Sequence, residues 1–345
     1  MIQVENITKR YGNFTAVDGI SFDIDEGEIV GFLGPNGAGK STTMNMITGF
    51  IEPSDGRIIV DGYDISKKPK KAKRQIGYMP EGVPLYSDLT VKEFVAYMAD
   101  LKGCDKKTKK EEIKKVLEET GLTEVQNKLT KNLSRGYKQR VSMAGALVGN
   151  PKVIILDEPT VGLDPKQVTE IRTLIKNLGK KHTVILSSHI LSEVSQICNR
   201  VIIINKGKIV AIDTPENLEN KVAQNNVVYV TVEDPENKME SIKEKLNNIK
   251  DIQFVVENED KTKKYIIKGE KDIDLRKEIF ETLAKEGITI FEMKKADATL
   301  EDAFMKLIND STNSKNTTEE NAQENQETDK DEKEISEEEN KKEDK

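Results

Sequence analysis

Apolar residues along the chain occur in two spacings, and the spacing assigns most of the elements. Short unbroken runs bounded by turn residues mark strands covered on both faces: Ile29-Val30-Gly31-Phe32-Leu33, Val153-Ile154-Ile155-Leu156, Val184-Ile185-Leu186 and Val201-Ile202-Ile203-Ile204. Between the second and third runs, Val168, Ile171, Leu174, Ile175 and Leu178 recur at helical spacing, and Pro165 suits the start of that helix. Strand, helix and strand in that order predict a parallel α/β sheet. The run ending at Leu33 passes into a glycine-rich loop, and residues 41–50 then read as a helix stopped by Gly49, Pro53 and Gly56. Elsewhere, residues 1–60 alternate short β-rich runs with turns.

Residues 89–150 read as helical. Leu89, Phe94, Val95, Met98 and Leu101 share one face, as do Ile113, Val116 and Leu117. Thr90 with Glu93 fits a capping box. Ser134 is placed to cap a helix that ends before Gly149-Asn150-Pro151. A boundary falls near residues 221–226, which divides a domain over 1–222 from a smaller one over 223–310. The smaller domain carries strands over 227–232, 265–267 and 288–293 and helices over 237–248 and 273–285. Leu300, Phe304 and Leu307 close it with an amphipathic helix. Mixed strands and helices in so short a stretch predict an α+β domain.

Charge changes the picture at the C-terminal end. The net charge is −7, yet residues 311–345 hold 13 acids and 6 bases, so the remaining 310 residues carry 48 of each. A neutral body lacks the basic footprint of a nucleic-acid binder. The acidic stretch holds two apolar residues, Ala322 and Ile335, and is expected to be a disordered tail. Residues 67–74 hold six basic residues in eight. A solvated loop is the expectation there, with Pro69 and the lack of apolar partners arguing against an amphipathic helix; the alternative is contact with anionic lipid. The apolar runs are far shorter than the roughly 18 residues of a spanning helix, and the first ten residues lack a signal-peptide core. Cys104 and Cys198 are far apart and suit a reducing cytosol. His182 and His189 lack metal-ligand spacing, so no protein-held metal cluster is expected.

The chemistry is concentrated in a few motifs. Gly34-Pro35-Asn36-Gly37-Ala38-Gly39-Lys40-Ser41 fits GxxxxGK[ST], between a strand and a helix. Glycines let backbone N–H groups converge on phosphate oxygens, and the following helix aims its positive end at the same anion. Lys40 supplies an ammonium and Ser41 a hydroxyl for Mg²⁺; Thr42 follows in the first turn. The second unbroken run ends in Asp157 and Glu158, the first suited to a Mg²⁺ shell and the second to polarising a water.

In that context the chain resembles the ATP-binding subunits of ATP-binding-cassette (ABC) transporters over residues 1–222. Leu133-Ser134-Arg135-Gly136-Tyr137-Lys138-Gln139-Arg140 matches the family signature LSGGQ-x-QR, with Arg135 and Tyr137 as departures. Gly162-Leu163-Asp164 matches the D-loop, Ser188-His189 the switch histidine, and Tyr11 the adenine-stacking aromatic. The resemblance implies a RecA-like parallel core with a helical subdomain and an antiparallel β part. It implies ATP and Mg²⁺ as ligands, with Lys40, Glu158 and His189 catalytic. Nucleotide contacts would come from Tyr11, Gly34, Pro35, Asn36, Gly37, Ala38, Gly39, Lys40, Ser41 and Thr42, and from Ser134, Gly136 and Asp164 across a cassette dimer. Metal contacts would come from Ser41, Asp157 and Glu81.

The family usually has Gln at the place of Glu81, in the loop that reaches Mg²⁺ and touches the membrane subunit. Arg135 either assists the partner's phosphates or faces solvent, and solvent is the expectation. The implied protein is an ATPase subunit on the cytoplasmic side of the membrane. It would pair with a like or unlike cassette and drive a permease on a separate chain, in the exporter direction. The alternative, a soluble ABC ATPase acting on ribosomes or nucleic acid, fits less well. Those carry two cassettes or a long coiled coil between the motifs, and this chain has one cassette and a neutral body.

Overall fold

In the computed structural model, which describes residues 1–82, 85–222, 226–234, 238–246, 248–258, 261–270, 274–295 and 299–311, the four unbroken apolar runs are adjacent strands of one sheet. The first of two units comprises Met1–Thr214 together with residues 304–311. It begins with strands β1 (Ile2–Tyr11), β2 (Phe14–Ile24) and β3 (Ile29–Leu33), then α1 (Lys40–Ile47), β4 (Asp55–Val60), β5 (Tyr63–Asp64), α2 (Pro69–Arg74) and β6 (Ile76–Met79). Helices α3 (Val91–Lys102), α4 (Lys109–Glu119) and α5 (Arg135–Leu147) come next. Then follow β7 (Val153–Asp157), α6 (Pro165–Gly179), β8 (Thr183–Ser187), α7 (Leu191–Ile197), β9 (Arg200–Asn205) and β10 (Lys208–Asp213).

The main sheet has the order β10-β9-β3-β8-β7-β6. Its strands are parallel apart from β10, which pairs antiparallel with β9 at the edge. Every residue of β3, β7 and β8 is buried, which is why their apolar runs do not alternate. A second, antiparallel sheet has the order β2-β1-β4-β5. Its inner face, with Val4, Ile7, Val17 and Ile58, shares one core with Met44 and Met46 of α1 and with Phe32 of β3. Each such large side chain contributes about 1.5–3 kcal/mol by leaving water.

The helices over 91–147 are held to the edge of the main sheet by close packing. The capping box forms: the Glu93 N–H donates to Thr90 Oγ1 at 3.2 Å, and the Thr90 N–H donates to Glu93 Oε2 at 2.8 Å. A Cβ on Gly77 of β6 would collide with the Ala146 carbonyl of α5, so helix and strand meet backbone to backbone. At the same seam Lys102 Nζ donates to the carbonyls of Ile76 (2.8 Å) and Ala146 (3.4 Å). Burial pushes that ammonium down from its ordinary 10.5 to about 8.

The second unit, Pro215–Ala303, contains α8 (Pro215–Val222), β11 (Asn226–Glu233), α9 (Met239–Ile242), β12 (Ile249–Glu257), β13 (Lys263–Gly269), α10 (Arg276–Lys285) and β14 (Thr289–Lys295). Its antiparallel sheet has the order β12-β13-β11-β14. Val228, Val230 and Ile267 pack with Leu275, Ile279 and Leu283 in its core.

Several expectations are revised. The chain divides at Thr214/Pro215 rather than at 222/223, because α8 packs within the second unit: its Leu218 is buried, and the Leu300 N–H donates to Glu219. Phe304 and Leu307, expected in the second domain, group with the first unit. Residues 67–74 are not a plain loop; α2 forms with Pro69 in its first turn and Ala72 fully buried. The helix expected over 237–248 is one turn, Met239–Ile242, followed by a 3-10 turn over Lys243–Lys245. Strands β1 and β2 run 10 and 11 residues, where short runs were expected, with register shifts at Asn6 and elsewhere interrupting their pattern. The acidic tail lies outside the described residues apart from Ser311, which ends a helix over 300–311.

Lys102 gives the fold a pH signature. Between about 8 and 10.5 the unfolded chain holds more protons on this group than the folded chain, so its contribution to stability rises with pH across that window. Replacing it by methionine (Lys102→Met) removes that rise. The stability difference between the two proteins, from unfolding curves at pH 7 to 10, should therefore shift in favour of the lysine form as pH increases. A difference independent of pH would contradict the burial of a titrating ammonium.

Candidate functional site

The loop between β3 and α1 is shaped by what its glycines touch. A Cβ on Gly34 would overlap the carbonyl oxygen of Ile204 on β9. A Cβ on Gly39 would lie 2.7 Å from the Ala16 carbonyl oxygen, and its φ of 108° is left-handed besides. Gly37 also has positive φ, 78°, but its Cβ position faces open space. The loop is tied down at Ala38, whose N–H donates to the Pro35 carbonyl and whose carbonyl accepts from Gly207 N–H. Gly39 caps α1 without a side chain, so the first N–H groups of that helix are not bonded by a capping side chain. Lys40 starts the helix, with Nζ donating to the carbonyls of Gly34 (2.7 Å) and Pro35 (3.1 Å). Ser41 is exposed in the first turn and Thr42 is partly buried.

Three carboxylates act on this ammonium through their charge. Burial lowers the Lys40 pKa, while Glu158, Asp157 and Glu81, in that order, pull it back up. Asp157 and Ser187 are paired across β7 and β8, and both strands end there. The Ser187 hydroxyl donates to Asp157 Oδ1 at 2.5 Å and accepts from the Glu158 N–H at 3.0 Å. Glu158 has φ of 51°, a left-handed conformation that costs a non-glycine residue about 1–3 kcal/mol. Its Oε2 lies 2.8 Å from His189 Nδ1; the Glu158 side chain is 12% exposed and that of His189 is 60% exposed. Tyr78 on β6 has its pKa raised to about 12, by burial first and then by Asp157 and Glu81. Ser187 was not singled out from the sequence, because its role rests on hydrogen bonds to Glu158 and Asp157, 29 and 30 positions away.

A second cluster forms elsewhere on the same unit. Ser134 and Asp164 cap α5 and α6, accepting from the N–H groups of Tyr137 (3.4 Å) and Gln167 (2.9 Å). Both line a hollow of about 420 Å³ with Gly136 and Gln167, and its lining includes none of Lys40, Asp157 or Glu158. A Cβ on Gly136 would meet the Gln167 side chain at 2.8 Å. Arg135 is exposed, as expected, and its guanidinium lies beside Gly162. Tyr11 is half-exposed at the end of β1, with Lys9 Nζ 5.4 Å from its ring centre.

The structure thus brings Lys40, Glu81, Asp157, Glu158 and His189 together at the carboxyl ends of the parallel strands and gathers Ser134, Gly136 and Asp164 at another place. The glycines, the ammonium and the uncapped helix start suit a polyphosphate. Ser41, Asp157 and Glu81 are oxygen donors of the kind Mg²⁺ takes.

The model of the ABC transporter family matches residues 17–161. The bacitracin transport ATP-binding protein BcrA of Bacillus licheniformis is 35% identical over 315 residues, covering 90% of this chain and 98% of that protein. The linearmycin resistance ATP-binding protein LnrL of Bacillus subtilis is 41% identical over 233 residues, covering 67% of this chain and 75% of that protein. Among solved structures, a dimer of the ATP-binding cassette MJ0796 in a post-hydrolysis state, bound to ADP and Pi, is similar with a TM-score of 0.56 and 28% identity. It covers 62% of this chain and 98% of that one.

The contrast between two glycines tests the loop. Gly34→Ala should abolish measurable nucleotide binding, because the new methyl displaces the loop from β9. Gly37→Ala meets no atom and should lose only what the positive φ costs, about 1 kcal/mol or roughly a 5-fold weaker Kd. Titration with a fluorescent ATP analogue measures both; equal losses would contradict the packing argument.

Proposed function

This chain belongs to the ATP-binding proteins of ABC transporters, and on that premise we propose that it hydrolyses ATP between two cassettes to drive a permease on a separate chain, as an exporter. The observation that carries the reading is the Glu158–His189 hydrogen bond of 2.8 Å at the strand ends that also hold Lys40. In this reading Lys40 and the loop over residues 34–42 hold the phosphates. The Glu158 carboxylate takes a proton from the attacking water, and His189 orients that carboxylate through Nδ1. Mg²⁺, when bound, would supply positive charge against the phosphates. Ser41, Asp157 and Glu81 would hold it together with phosphate oxygens, since among the described residues no three His, Cys, Asp or Glu side chains are grouped to hold a metal alone. Tyr11 stacks on the adenine.

The separation of the second cluster from the phosphate loop supports the dimer. Ser134, Gly136 and Asp164 then serve the nucleotide of the opposite cassette, with the α5 N-terminus aimed at its γ-phosphate. The dimeric cassette with bound ADP and Pi is consistent with this. No helix among the described residues is long and apolar enough to cross a membrane, which supports a membrane-peripheral subunit whose permease is another chain. The relatives named for bacitracin transport and linearmycin resistance support an exporter of antibiotic-like molecules. A hollow of about 300 Å³ lined by Pro80, Leu85, Tyr86, Phe94 and Met98 adjoins the loop carrying Glu81, and is the proposed seat of the permease.

Glu158→Gln should keep ATP affinity, lower turnover by about 10²–10⁴-fold and accumulate as an ATP-loaded dimer. Phosphate release and size-exclusion chromatography read both effects; a variant that stays monomeric with ATP at high concentration rules out the sandwich. Leu85→Asp should leave ATP binding intact while the Glu158→Gln form loses its ability to co-purify with membranes. Unchanged recovery of a membrane protein would remove the hollow as the docking seat.

A further inference from the structure

Residues 158–164 are pinned at several points. The Glu158 N–H is held by Ser187, the Val161 N–H donates to the Glu158 carbonyl at 3.3 Å, and the Leu163 N–H donates to the Thr160 carbonyl at 3.2 Å. Thr160 Oγ1 donates to Glu193 Oε2 of α7 at 2.8 Å, and both side chains are buried. Asp164 caps α6 at the far end. Gly162, with φ of 69°, lies between these anchors and brings no side chain of its own. Its Cα is covered by the guanidinium of Arg135, the first residue of α5, so that a Cβ there would overlap the guanidinium carbon.

We infer that Arg135 is a positioning residue for hydrolysis, its guanidinium packed on Gly162 to hold the turn that begins at Glu158. The inference rests on the reading of Glu158 as the base. A guanidinium is flat and weakly hydrated, so it packs against bare backbone in a way a lysine ammonium does not. Gly162 is favoured by its left-handed φ, and a methyl there would push the guanidinium off the turn. Glu158 is itself left-handed, so its carboxylate depends on its neighbours to stay where His189 meets it. One contact therefore links the α5 start, beside Ser134, to the acid.

The test is ATP turnover by the full chain carrying Arg135→Ala, Arg135→Lys, Gly162→Ala, or Arg135→Ala with Gly162→Ala. Each alanine change should lower kcat about 5–10-fold, with KM for ATP shifting less than about 2-fold and the melting temperature of Arg135→Ala nearly unchanged. The double variant should fall no further than the worse single one, because a shared contact is lost only once. Arg135→Lys should recover little. Multiplying losses in the double variant, an effect confined to KM, or full recovery by lysine would each overturn the inference. Where Gly162→Ala fails to fold, the kcat-against-KM split and the lysine result decide alone. Glu158→Gln is measured beside them: wild-type turnover in that variant would mean that the base assignment has failed, a result separate from the behaviour of Arg135.

Discussion

The backbone of the phosphate loop and the carbonyl of Ile204 approach each other so closely at Gly34 that no side chain fits between them. The rest of the site hangs on that approach. It requires β9 beside β3, which the parallel pairing of Leu33 with Ile203 supplies. It directs the chain out of β3 and straight into α1, whose Met44 and Met46 seal the core beneath. On the other flank of β3, strands β8 and β7 bring Ser187 and Asp157 level with each other. The charged groups therefore gather at the carboxyl ends of parallel strands, where open α/β sheets place their ligands.

The electrostatics of that edge are set by imbalance. One partly buried ammonium faces three carboxylates, and its pKa still falls, so desolvation outweighs their attraction. Two of those acids, Asp157 and Glu81, help burial to raise Tyr78. Glu81 adds charge where the related family usually has a neutral glutamine, and it acts on both Lys40 and Tyr78. Such an edge favours a ligand that brings its own divalent cation over a bare polyanion.

Much of this was legible in the sequence because it rests on local rules. Unbroken apolar runs gave β3, β7, β8 and β9, and Thr90 and Ser134 stand at helix starts that their side chains cap. What was misread depends on distant partners. The basic residues of α2 hid a helix held by one buried alanine, Ala72. Strand β12, exposed over most of its length, lacks the alternation that marks a half-buried strand. Ser187 matters through a hydrogen bond to a residue 30 positions away, and Arg135 through a glycine 27 positions away. No local pattern announces either pairing.

The Ser311 hydroxyl accepts from Asn205 Nδ2 at 2.9 Å, at the end of the strand that underlies the phosphate loop. The chain thus leaves the first unit after Thr214 and comes back to it with residues 304–311. The second unit is an insertion, tethered at two points rather than trailing from one. A single scission anywhere within Pro215–Ala303 would separate this last helical segment from the polypeptide of the body it packs on. It would leave the Asn205 amide, itself buried, dependent on a fragment no longer joined to it. Removing the inserted piece while keeping the phosphate loop's support intact takes two cuts and a splice.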